Sequence, residues 1–157
     1  MTDKERAKAA YKAVCDFLDE AKLKYQKDDA ENVAFISITG DDFPVTLMFA
    51  ASEEKQRIET YSKLPFEIKK EKAVDLAMAI AAINNRIAYG KFVLYIEKDQ
   101  CTYENSEYLT GLEGFGVEYG RTLVAPAYAV IEEYNDKLYA ISKGLLTVKD
   151  FLASLNK

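Results

Sequence analysis

Between residues 32 and 64, three strand-patterned runs are joined by connections of only a few residues, and this spacing narrows the fold more than any other feature. Asn32 to Thr39 carries Val33, Phe35, Ile36 and Ile38 and stops at Gly40-Asp41-Asp42. Phe43 to Phe49 alternates strictly, placing Phe43, Val45, Leu47 and Phe49 on one face, as a half-buried strand requires. After the polar turn Ser52-Glu53-Glu54-Lys55, the run Arg57 to Leu64 aligns Ile58, Thr60, Ser62 and Leu64, and Pro65 ends it. A parallel crossover needs about a dozen residues or more. The three runs therefore predict an antiparallel meander.

Helical periodicity frames the meander. Asp3 to Gln26 repeats Ala7, Ala10, Tyr11, Val14, Phe17, Leu18, Ala21 and Tyr25 at three- and four-residue spacing, and Lys27-Asp28-Asp29-Ala30 reads as a connection. Glu71 to Ala88 has an apolar surface wide enough to be largely buried, with Gly90 as its stop. Lys91 to Glu97 and Cys101 to Tyr108 read as a hairpin around Lys98-Asp99-Gln100. Residues 109 to 118 hold three of the seven glycines and predict a loop. A long helix follows from Tyr119 to Lys143, with a buried stripe of Leu123, Ala127, Val130, Ile131, Tyr134, Leu138 and Ile141. Pro126 either opens that helix or kinks it. Gly144 ends it, and Thr147 caps a short last helix through Leu155. The order α-βββ-α-ββ-α-α predicts one α+β domain over residues 1–157, an antiparallel sheet of about five strands with helices packed beside it.

The residue inventory removes most catalytic chemistry. The chain has no histidine, so Ser-His-Asp and Cys-His machinery and His-ligated zinc are unavailable. Cys15 and Cys101 are far apart and form no CxxC pair; Cys15 fits a buried thiol in a helical pattern and Cys101 falls in a strand pattern, with a disulfide between them left open. The acidic pairs Asp28-Asp29, Asp41-Asp42 and Glu53-Glu54 lack calcium-loop spacing and read as solvated turns, so no metal site is expected. Gly111, Gly114 and Gly116 match neither phosphate-loop pattern. A Ser-Lys pair or an activated thiol stays conceivable, but no spacing singles one out. No catalytic residue and no cofactor is expected. The net charge of −5 argues against nucleic acid. Nothing resembles a signal peptide or a membrane span, and two thiols in a chain of this size suit the cytoplasm.

What remains is surface. Tyrosine is frequent, eleven of 157 residues, and this side chain is enriched where proteins meet. Tyr95, Tyr103, Tyr108 and Tyr128 form the candidate partner surface, the last three lying off the main apolar stripes. Asn84-Asn85 are the odd polar pair late in an apolar helix; one is expected to bond across to the sheet or the following loop, the other to face solvent. A rival reading is a small-molecule binder or an unrecognised enzyme, using a groove near Tyr95, Tyr103 and Asn84.

Three stretches carry a family likeness. The strand Arg57-Ile58-Glu59-Thr60-Tyr61-Ser62-Lys63-Leu64 ends in Pro65-Phe66. The helix Ala79-Ile80-Ala81-Ala82-Ile83-Asn84-Asn85-Arg86 passes through Gly90-Lys91-Phe92-Val93-Leu94 into the hairpin, and Lys143-Gly144-Leu145-Leu146-Thr147 closes the long helix. Together they resemble the YbjN family of bacterial proteins, described as sensory transduction regulators, whose fold is similar to type III secretion chaperones. The resemblance implies a non-enzymatic regulatory or protein-binding module that holds an extended segment of a partner against its sheet and pairs with a second copy through a helix. It implies no catalytic residue.

Overall fold

The computed structural model describes residues 1–157. Its elements are α1 (Asp3–Glu20), β1 (Gln26–Asp28), β2 (Val33–Ile38), β3 (Val45–Ser52), β4 (Arg57–Lys63), α2 (Ala73–Asn84), β5 (Lys91–Tyr95), β6 (Gln100–Tyr108), α3 (Val117–Ser142) and α4 (Val148–Ser154). The strands form one six-stranded antiparallel sheet in the order β1-β2-β3-β4-β6-β5. The meander of β2, β3 and β4 is as expected, and the α+β class holds. The sheet has six strands where about five are expected.

The extra strand comes from the end of α1. That helix stops at Glu20, not Gln26, because Lys22 adopts a left-handed conformation at φ 56. Leu23 N–H then reaches Leu18 O at 2.9 Å and Lys22 N–H reaches Asp19 O at 3.0 Å, a closing pair of bonds that usually has glycine at its turning point. With the helix closed, Gln26–Asp28 swings back to pair with Val33–Phe35. All three residues of β1 are exposed, so no burial period marks it. At the other end Thr2 accepts from Glu5 N–H while the Glu5 carboxylate accepts from Thr2 N–H, a reciprocal cap.

One face of the sheet makes the core. Ala34 and Ile36 on β2, Val45, Leu47, Phe49 and Ala51 on β3, Ile58 and Thr60 on β4, Tyr103 on β6 and Phe92 on β5 are all buried. The apolar ones meet Ala10, Val14, Phe17 and Leu18 of α1 and Leu123, Ala127, Ile131 and Leu138 of α3 in one cluster of 33 buried residues. Gly120 lets α3 approach α1 closely: a Cβ there would stand 2.1 Å from Ala13 O. Pro126 lies inside α3, which begins at Val117, so it does not open the helix. Gly144, at φ 73, and the Thr147 hydroxyl, accepting from Asp150 N–H at 3.1 Å, close α3 and open α4 as expected.

The α2 region corrects a second expectation. The helix begins at Ala73 after a 3-10 turn over Lys70–Lys72, and only Leu76, Ala79, Ile80 and Ile83 are buried. Its other apolar side faces out, with Val74 at 71% and Met78 at 49% exposure. Both thiols, Cys15 and Cys101, are buried and unpaired.

Candidate protein-binding surfaces

The alternation that buries one sheet face leaves the other without a helix. Across it runs a row fixed by strand register: Gln26 opposite Phe35, Phe35 opposite Met48, Met48 opposite Tyr61, Tyr61 opposite Glu104, and Glu104 opposite Lys91. Paired residues share a face, so this row crosses all six strands. Its first half is apolar: Phe35 and Met48 are 43% and 36% exposed, with Val33 and Ala50 half-buried beside them. Large apolar side chains uncovered side by side on a sheet are the feature of a docking face, whereas scattered ones are ordinary. Its second half is charged.

Tyr95 belongs to that charged half. Its hydroxyl donates to Glu104 Oε2 at 2.8 Å, and Thr102 Oγ1 donates to the same oxygen at 2.8 Å. Donation to the carboxylate holds the Tyr95 phenol above its usual range, since losing the proton would set two anions together; partial desolvation adds to this. Tyr108, opposite Arg57 on the same face, is 71% exposed. Tyr128 is on α3, away from this face, its hydroxyl near Thr39 O at 3.5 Å.

Tyr103 does not belong to the surface. It is 1% exposed, packed edge-on to Phe92 with ring centroids 5.7 Å apart, and its hydroxyl donates to Tyr89 O at 2.9 Å. Strand register decides this: one residue along β6 from outward-facing Glu104, Tyr103 must point into the core. The proposed groove near Tyr95, Tyr103 and Asn84 dissolves with it. Asn84 uses its amide on Phe92, accepting from Phe92 N–H at 2.9 Å and donating to Phe92 O at 3.0 Å, and Tyr95 faces the other side of the sheet. Asn85 faces solvent.

The acidic pairs act as turn residues. Asp28 Oδ1 accepts from Ala30 N–H and Glu31 N–H, and Asp29 accepts from the Tyr11 hydroxyl at 2.8 Å. Nowhere do three metal-ligating side chains come together, and no helix is long and apolar enough to cross a membrane.

A second apolar surface lies on α2. Val74, Ala77, Met78 and Ala81 recur at i, i+3, i+4 and i+7 and are all exposed, one continuous stripe opposite the buried one. Both surfaces had a signal in the sequence. Phe35 and Met48 are apolar at positions where alternation calls for polar residues, and α2 has more apolar side chains than one buried stripe needs.

No family model and no curated protein matches the sequence. Solved structures do match the fold. The chain aligns with a protein in the crystal structure of the ExsC-ExsE complex at a TM-score of 0.52 and 11% identity, covering 82% of this chain and 92% of that one. It aligns with a protein of the HopA1-SchA chaperone-effector complex at a TM-score of 0.52 and 16% identity, covering 82% and 95%. YbjN from E. coli, described as a candidate transcription regulator, aligns at a TM-score of 0.52 and 15% identity, covering 77% and 87%. The chain has the fold shared by type III secretion chaperones and YbjN.

Proposed function

We propose that this chain is a non-enzymatic, cytoplasmic protein-binding module that holds an extended polypeptide segment against the helix-free face of its sheet and pairs with a second copy through α2. The observation that carries the reading is the row Phe35–Met48–Tyr61, apolar and uncovered, continuing into Glu104 and Lys91. Five inter-strand steps of about 4.8 Å make the row about 24 Å long, the reach of roughly seven extended residues. A bound segment would set its apolar side chains on Phe35 and Met48 and its polar ones on the charged half. Tyr95 and Tyr108 flank that path and would add contact area. Two of the structures sharing this fold are complexes, one of them titled chaperone-effector, which supports a protein as the partner. The unpaired, buried thiols suit a reducing compartment.

The test is affinity capture from the native cell with mass spectrometry, comparing the wild type with a Phe35→Ser/Met48→Ser variant. Both positions are exposed, so the variant should keep its circular dichroism spectrum. A partner enriched by the wild type and lost from the variant is expected. Recovery of none above background overturns the reading.

A further inference from the structure

β6 is longer than the strand beside it. It pairs with β5 only from Gln100 to Glu104, while its pairing with β4 runs from Thr102 to Tyr108. The last part of β6 therefore has an edge on which no strand lies. Which backbone groups face that edge follows from the hydrogen bonds of Phe92. Its N–H and C=O both bond Asn84, so they point away from β6, and the Phe92–Tyr103 pair is of the non-hydrogen-bonded kind. Tyr103 must then address β4, as must Asn105 and Glu107. The N–H and C=O of Ser106 and Tyr108 address the vacant side, where both residues are exposed.

The vacant edge opens into a cleft of about 460 Å³ lined by Arg57, Glu59, Gly90, Lys91, Glu104, Asn105 and Ser106. An extended peptide entering it continues the line of β5. All neighbouring pairs in this sheet are antiparallel, so such a peptide would run in the direction of β5 and meet Gly90 head-on. It cannot pass, because β5 itself occupies the next position. A chain that ends there needs no turn. Its last residue lies opposite Ser106, and its terminal carboxylate arrives beside Lys91. The Lys91 ammonium enters no ion pair, whereas Arg57 is held by Glu59, and Glu104 accepts from Tyr95 and Thr102.

We propose that this notch between Ser106 and Lys91 captures the free C-terminus of a partner protein by strand addition to β6 and pairing of the carboxylate with Lys91. Main-chain bonds would supply affinity with little demand on sequence, and the ammonium would select a chain end over an internal segment. Lys91 and Tyr108 border both this notch and the path proposed above, but Phe35 and Met48 lie farther along the row and take no part here. Tyr108, pointing to the outer side, would pack the side chain two residues before the terminus.

The probe is a fluorescein-labelled hexapeptide ending Tyr-Thr-Val, prepared as free acid and as C-terminal amide, titrated by anisotropy against the full chain. The acid is expected to bind about tenfold or more tightly than the amide, the size of a charge pair at a partly screened site. Lys91→Ala should weaken the acid by that factor and leave the amide unchanged, and Lys91→Arg should restore it. Ser106→Pro removes an N–H that β4 does not use and should weaken the acid too. The Phe35→Ser/Met48→Ser variant should bind as the wild type does. Equal binding of acid and amide, indifference to Lys91→Ala, loss of binding in the Phe35→Ser/Met48→Ser variant, or no binding of the acid at millimolar concentration would each overturn the proposal.

Discussion

The side-chain amide of Asn84 bonds both backbone groups of Phe92, standing in for a neighbouring strand at the outer edge of β5. A helix residue thus closes a sheet edge that would otherwise invite pairing with another chain. Asn84→Ala leaves the Phe92 N–H and C=O unpaired in a part-buried place, and should cost about 2 kcal/mol. Urea unfolding reads the cost. Size-exclusion chromatography should show new self-association in the variant; an unchanged midpoint and elution would mean the pair neither stabilises nor guards the edge.

Burial pushes the Cys101 thiol from its ordinary 9.0 up to about 12, and Tyr103 from 10.0 to about 12, with the charge of Glu107 adding to burial at the tyrosine. Both groups keep their protons in the folded chain at a pH where the unfolded chain loses them. Their contribution to stability is complete below pH 9 and is lost as pH climbs from there toward 12. Denaturation midpoints should fall from about pH 9 in the wild type. In Cys101→Ala the fall should begin nearer pH 10, where tyrosine takes over.

Val74 and Met78 contribute nothing to the core, so Val74→Glu/Met78→Glu should leave the melting temperature within a few degrees of the wild type. If α2 is where two copies meet, the same variant should be monomeric by light scattering at concentrations where the wild type is dimeric, because two buried carboxylates per copy cannot be paired there. A wild type that is strictly monomeric removes the α2 part of the proposed function and leaves the sheet face untouched.

Arg6 is 8% exposed and gathers three segments: it donates to Asp3 Oδ1 at 2.8 Å, to Gln56 Oε1 at 3.2 Å, to Leu112 O at 3.1 Å and to Met1 O at 3.1 Å. The glycine-containing loop after β6 is tied to the start of α1 by this side chain, which also lies 3.7 Å from Glu113, and by the Met1 ammonium 3.6 Å from the same carboxylate. Arg6→Ala should destabilise the fold by about 2 kcal/mol. Amide exchange at residues 109–116 should accelerate more than in β3, and equal acceleration in both would mean that Arg6 supports the whole fold and not this loop.

How far the sequence carried depended on whether a position answers to its neighbours in the chain or to the sheet. Val45, Leu47 and Phe49 announce their strand because burial on one face leaves a period of two. Thr147 announces α4 because its cap is local. β1 does not, since its three residues are exposed and its only reason to be a strand is the edge of β2. Lys22 hides the end of α1 by taking a backbone conformation that glycine usually marks. Tyr103 and Tyr95 look alike in sequence, and only register sends one inward and the other out. The Asn84 bond to the sheet was legible as an oddity, although its bidentate form was not. Phe35 and Met48 stand out from the alternation of their strands one by one, but the row they belong to could not be assembled, because it joins six strands from residues as distant as Gln26 and Glu104.

The one-sided packing of the helices has an evolutionary reading. A substitution at Leu47 must fit a crowded interior, but Met48, the next residue, is 36% exposed on the helix-free face, where packing asks less of it. Successive positions along the same strand therefore answer to different judges, dense packing for one and, on the proposed function, recognition for the other. A lineage could exchange its partner by drifting at every second residue, with the scaffold none the worse, and sequences of this shape would diverge quickly while their outline stays.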